Sequence, residues 1–210
     1  MTFKSLQGCL PDIAEVLSVN RTTLYERQRA LVREGLLVAL PGHGRGSGVR
    51  ATPESVAMLT IGMLASVGLA DVGPLARSFS KAASLDAECP LTGAKTFHGA
   101  LSRIFSTEAL AERVNGITVQ VNAGRAAIAF DGGNIGQDMD FVVLAKSMEK
   151  NPSVKSFKVS RGGKPLLPIS VFSTRKHQEN GLLVSLSIPR ETIRALNAAT
   201  ISLLADTEGP

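Results

Sequence analysis

The chain is poor in the residues that build stapled, metal-bound or catalytic frameworks: it has two cysteines, three histidines, one tyrosine and no tryptophan in 210 residues. Cys9 and Cys89 lie far apart, with no Cys or His at ligand spacing beside either. That argues against a disulfide scaffold or a zinc site and for a reducing compartment. His43, His98 and His177 are scattered, and no serine or cysteine stands in a nucleophile elbow. No catalytic residue is therefore assigned, and the chain is read as a non-enzyme. Aromatics are scarce as well, at 4%, and the densest basic stretch, Lys155 to Lys164, has Phe157 alone beside it, which gives a base-stacking surface for single strands little support. The most apolar run, Val56 to Ala70, is interrupted by Thr60, Gly62, Ser66 and Gly68 and is too short to span a bilayer. The opening MTFKSLQGC lacks the apolar core of an export signal. The expectation is a cytoplasmic protein with no membrane contact, no metal and no cofactor.

What the chain does have is positive charge, +5 overall. Residues 1–52 carry seven Lys/Arg against four Asp/Glu, residues 53–115 five against six, and residues 116–210 eleven against eight. Basic ends around a mildly acidic middle fit a polyanionic partner near the amino-terminal unit.

Residues 10–52 explain how such a partner would be met. Pro11 suits a first helical turn, where its missing N–H loses nothing, and Asp12 and Glu15 place negative charge at the positive end of the helix. Ile13, Val16 and Leu17 make a short apolar stripe, and Ala14 is small enough for close approach. Ser18-Val19-Asn20 breaks the run, and Asn20 is a good N-cap for a second helix. That helix carries Leu24, Leu31 and Val32 on its core side and is stopped by Gly35, a residue free to take positive φ. Leu36 to Leu40 read as a short strand. Arg27 and Gln28 interrupt the expected apolar stripe, so one of them must shield the core with its stem.

Opposite the core stripe stand Arg21, Thr22, Tyr25 and Arg29, close enough in helical angle for one groove to meet them all. Arginine reads a guanine edge with two parallel hydrogen bonds, and Thr or Tyr can bond phosphates or touch thymine methyls. Arg27 and Arg33, to the side, are expected at phosphates. The following loop, Pro41 to Arg50, holds four glycines and therefore turns sharply. It would bring His43, Arg45 and Ser47 to a minor groove or backbone and Arg50 to a phosphate. A nucleotide cradle is the competing reading of its Gly-x-Gly pattern. No helix runs straight from these glycines, no acidic residue follows at the right interval, and no P-loop lysine is present.

The run Ile13-Ala14-x-x-Leu17-x-Val19, then Thr23-Leu24-Tyr25 and Glu34-Gly35-Leu36-Leu37, resembles the DNA-binding domain of bacterial winged helix-turn-helix regulators, including the MerR-like group. The resemblance covers about the first quarter of the chain. It implies that helix 21–34 reads the major groove, that residues 42–50 form the wing, and that the protein works as a homodimer on double-stranded DNA.

Beyond Thr52 the pattern changes. Thr52 caps a helix that begins at Pro53 and is apolar nearly all round, hence buried between other elements. Further helices are expected over 72–85, 97–105 and 107–114, followed by a switch to period two. Strands are expected over 117–121, 125–130, 141–145, 154–159, 166–173 and 182–188, with a closing helix from Pro189 to about Ala199. Residue 141 onward also reads as the start of a helix. Asp131, Asp138 and Asp140 surround a glycine-rich loop but lack the spacing and terminal glutamate of an EF-hand. Lys155, Lys158, Arg161 and Lys164 read equally as phosphate contacts or as a charged strand edge.

The fold class is therefore α+β: a winged helix-turn-helix over 1–52, central helices over 53–115 that connect or dimerise, and a mixed domain with antiparallel hairpins over 116–210 for oligomerisation or effector sensing. Three functions fit. The first is a nucleoid-associated transcriptional regulator, with an effector or RNA polymerase as a further partner. The second is a DNA-architectural or recombination and replication accessory protein of a mobile element. The third is a winged helix used for protein contact.

Overall fold

The computed structural model describes residues 4–40, 48–66, 68–84, 87–121, 123–131, 138–142 and 185–205. Helix α1 spans Leu6–Val16, and Ser5 caps it by accepting from the Gly8 N–H. The start is earlier than Pro11 suggested, because Leu6, Cys9, Leu10 and Ile13 form one buried stripe whose burial outweighs the proline. Pro11 falls inside the helix on its exposed side, where the Gln7 carbonyl it leaves without an amide partner can meet water. Cys9 is packed into this stripe, and burial pushes its thiol pKa up, which keeps it protonated and unreactive.

The turn after α1 is a Schellman motif. The Val19 N–H bonds Ala14 O at 2.9 Å and the Ser18 N–H bonds Glu15 O at 3.0 Å. Ser18 takes the left-handed position, φ 52°, which an L side chain occupies at a cost. Replacing exposed Ser18 with glycine is therefore expected to raise unfolding free energy by about 0.5–1 kcal/mol, read by urea denaturation. An unchanged midpoint would mean the turn is not strained.

Helix α2, Arg21–Arg33, begins at Asn20, whose Oδ1 accepts from the Thr22 N–H at 2.7 Å. It ends in a second Schellman motif with Gly35 at φ 68°. Leu36 N–H bonds Leu31 O in that cap, so the expected strand shortens to β1, Ala39–Leu40, paired antiparallel with β2, Gly48–Val49. Lys4–Ser5 runs alongside: Ser5 bridges Arg50, and the Ala51 N–H bonds Lys4 O at 3.0 Å.

Helix α3, Pro53–Leu64, starts in a capping box between Thr52 and Ser55. All but two of its residues are buried, as its all-round apolarity required, and it packs against α2, α4 and α5. After a 3₁₀ turn at Leu69–Asp71 comes α4, Val72–Ser80. The helix expected over 72–85 is thus cut short, because Ala83–Ser84 pair as strand β3 at a sheet edge. Helices α5, Phe97–Ser106, and α6, Glu108–Arg113, follow.

The main sheet contains β3, β4 (Val114–Gln120), β5 (Arg125–Phe130), β6 (Asp138–Val142) and β7 (Ser185–Pro189) in the order β3-β6-β5-β4-β7, antiparallel throughout. A register shift between Val114 and Gly116 puts Val114 on the same buried face as Ile117 and Val119. Asp138 and Asp140 belong to β6 rather than to a loop. The expected strands over 154–159 and 166–173 lie outside the described residues. Helix α7, Arg190–Ala205, runs past the expected end at Ala199. Its first residue is held by Asp131 and Asn115. The Asp131 carboxyl is kept below the usual range by hydrogen bonds from Asn115 and then Arg190.

The fold is mixed α+β with small antiparallel sheets. One continuous cluster of buried apolar residues runs from Leu6 in α1 to Leu196 in α7, with Phe79, Phe97 and Phe105 its largest fully buried side chains. Helix α7 packs against α5, α6, β4 and also α1, so the three stretches read from the sequence share one core.

Candidate nucleic-acid interface

The capped turn and the two Schellman motifs fix where α2 begins and ends, and the core fixes which side faces in. Leu24, Arg27, Gln28, Ala30 and Leu31 are buried. Arg21, Thr22, Arg29 and Arg33 are exposed and Tyr25 is half-buried. At about 100° per residue these five outward residues fall in a sector of roughly 120°. Arg29 lies over the Tyr25 ring, 5.9 Å from its centroid, a geometry that steadies both side chains. Glu26 shares this face and holds Arg29 Nη1 at 3.3 Å, so part of the local positive charge is neutralised within the helix.

Arg27, expected at a phosphate, is instead inside the protein, 8% exposed. Its Nη1 donates to Gly62 O at 3.0 Å, to Ser66 O at 3.1 Å and to Ser66 Oγ. The residue that breaks the apolar stripe thus turns inward to serve the carbonyls at the end of α3, and burial pushes its pKa below the usual arginine value. Gln28 is buried beside it, and its Oε1 has no hydrogen-bond partner among the described residues. At the far end of α2, Arg77 Nη2 bonds Glu34 O at 2.6 Å and Glu34 Oε2 at 3.1 Å, tying α4 to the α2 cap.

Of the loop residues, Arg50 is placed and exposed. His43, Arg45 and Ser47 lie outside the described residues. Lys4, which the sequence reading left out, is brought beside the hairpin by the Ser5–Arg50 bridge and is also exposed. Reading Ser5 as the N-cap of α1 would have found it, because an N-cap takes extended backbone and leads the preceding residue into a strand. Next to the hairpin an open groove of about 420 Å³ is lined in part by Leu36, Val38, Leu40, Val49, Met58 and His98. Val38 is 76% exposed at this groove.

Among the described residues no three His, Cys, Asp or Glu side chains gather as a metal site would need. Among them, too, no helix is long and apolar enough to cross a membrane. No protein-family model, curated protein or solved structure matches this chain.

Proposed function

We propose that residues 1–52 act as a winged helix-turn-helix that binds double-stranded DNA in a homodimeric transcriptional regulator. Helix 21–34 enters the major groove, and residues 42–50 meet the backbone or minor groove. The observation that carries this reading is the outward set Arg21, Thr22, Tyr25, Arg29 and Arg33 on one face of a helix capped at both ends. Arg50, just after the β1–β2 hairpin, and Lys4 on the segment bridged to it stand in the same amino-terminal unit. Arginine forks on such a face suit guanine edges and phosphates alike.

A second reading, a winged helix used for protein contact, is favoured by the open groove beside the hairpin, of mixed lining with exposed Val38. The two separate cleanly in salt. Binding of a fluorescently labelled duplex, followed by anisotropy between 50 and 200 mM salt, should weaken with a log–log slope of about −3 to −4 if Arg21, Arg29, Arg33 and Arg50 neutralise phosphates. Absence of binding at low salt would overturn the DNA reading.

A further inference from the structure

We infer that Arg27 is a positioning residue: its buried guanidinium fixes the rotation of α2 on α3 and thereby aims the outward face of α2 at its partner. The aiming part rests on the nucleic-acid reading above, whereas the fixing part stands on geometry alone. Arg27 lies midway along α2, about 160° around the helix from Arg29 at 100° per residue. Three of its acceptors, Gly62 O, Ser66 O and Ser66 Oγ, sit at or just past the carboxy-terminal end of α3, where carbonyls without intrahelical partners carry the negative end of the helix dipole. Ser66 is 1% exposed, and its hydroxyl donates in turn to Gly62 O at 2.7 Å. One turn after Arg27, Leu31 Cδ1 occupies the space a side chain at Gly62 would need, 3.2 Å from where its Cβ would stand. The two helices therefore touch at a glycine, and a polar knot locks the contact.

An apolar residue at position 27 could fill the same volume, and replacing a buried charge in this way is often tolerated. Apolar packing is non-directional, however, and would let α2 roll. A planar guanidinium with several fixed acceptors does not. A roll of about 30° moves side-chain tips on a helix of 10–12 Å diameter by roughly 3 Å, beyond hydrogen-bond reach of a base edge.

The chain supplies its own reporter. Tyr25 is its single tyrosine and there is no tryptophan, so intrinsic fluorescence arises from the outer face of α2. The experiment compares the full-length parent, Arg27→Met and Arg27→Lys by acrylamide quenching of Tyr25, amide hydrogen exchange and binding of a labelled random-sequence duplex. The expected result for folded Arg27→Met is an altered Tyr25 quenching constant and faster exchange in α2 than in α3. Affinity for the random-sequence duplex should fall about tenfold as the phosphate contacts of Arg21, Arg29 and Arg33 are misaimed, and Arg27→Lys should restore part of each. Parental quenching and exchange in Arg27→Met would overturn the inference. A loosened α2 with unchanged duplex affinity would overturn its aiming role. If the parent ignores the duplex, the nucleic-acid reading fails while quenching and exchange still decide Arg27. Should Arg27→Met not fold, Ser66→Ala takes its place, with changes expected in the same direction and parental values overturning the inference.

Discussion

A chain that stops at Pro189, and so lacks α7, is expected to lose cooperative folding of α1 and α2 as well. Ile193 and Leu196 are fully buried, and Asn197 is 2% exposed. The Asn197 amide donates to Ile104 O at 3.0 Å and Phe105 O at 3.2 Å, serving the end of α5 from a helix far away in sequence. Removing α7 forfeits about 1.5–3 kcal/mol for each buried aliphatic side chain. It also leaves two carbonyls whose desolvation costs about 1–3 kcal/mol apiece if they stay buried. That sum rivals the whole stability of a domain, about 5–15 kcal/mol. Because α7 also packs on α1, the loss reaches the amino-terminal helices. Urea denaturation followed by far-ultraviolet circular dichroism checks this. The truncated chain should show a broad, early loss of helix, whereas a transition at the parental midpoint would mean that residues 5–66 stand without α7.

Such coupling is the part of the fold least visible in the sequence. Local signals read well where local physics decides. Thr52 and Pro53 start α3, Asn20 starts α2, Gly35 ends it, and the alternation over 117–130 gives the β4–β5 hairpin. The all-round apolarity of α3 also announced its central place. Sequence pattern and structure part where two local signals compete or where a distant partner decides. Pro11 suits a helix start, yet Leu6, Cys9 and Leu10 continue the stripe of Ile13 backwards. Ala83–Ser84 leave the helix because they find strand partners on both sides, β6 more than fifty residues on and the Lys95–Thr96 backbone nearer by. Nothing near Arg27 in sequence names Gly62 or Ser66, so its inward turn needed the packing of α2 on α3. The outward set on α2 was legible because helical period alone separates it from Leu24 and Leu31. Lys4 stands beside the hairpin through the Ser5–Arg50 bridge, a pairing of distant segments at which the Ser5 cap alone hints.

Arg29 is the residue on that outward set whose replacement should cost most, and its neighbour Glu26 provides a control of opposite sign. Arg29 is exposed, steadied by the Tyr25 ring and held by Glu26 at 3.3 Å. An arginine reading a base with both arms contributes about 1–3 kcal/mol of discrimination, so Arg29→Ala should bring preferred and scrambled duplexes closer by about tenfold or more. If Arg29 serves a phosphate instead, affinity falls on every duplex alike and the salt slope shrinks by about one. The Glu26 carboxylate competes for the same guanidinium and repels phosphates. An exposed pair of this kind is worth only about 0.2–1 kcal/mol, so Glu26→Gln releases Arg29 at little cost to the fold and should tighten duplex binding a few-fold at low salt. Neither substitution removes a buried group, which separates the readout from stability. Competition anisotropy at 50 and 200 mM salt measures both variants. Unchanged affinity in Arg29→Ala together with unchanged affinity in Glu26→Gln would take α2 out of the interface. A loss in one and a gain in the other, with the gain fading as salt rises and screening shortens, is the pattern a groove-facing α2 demands.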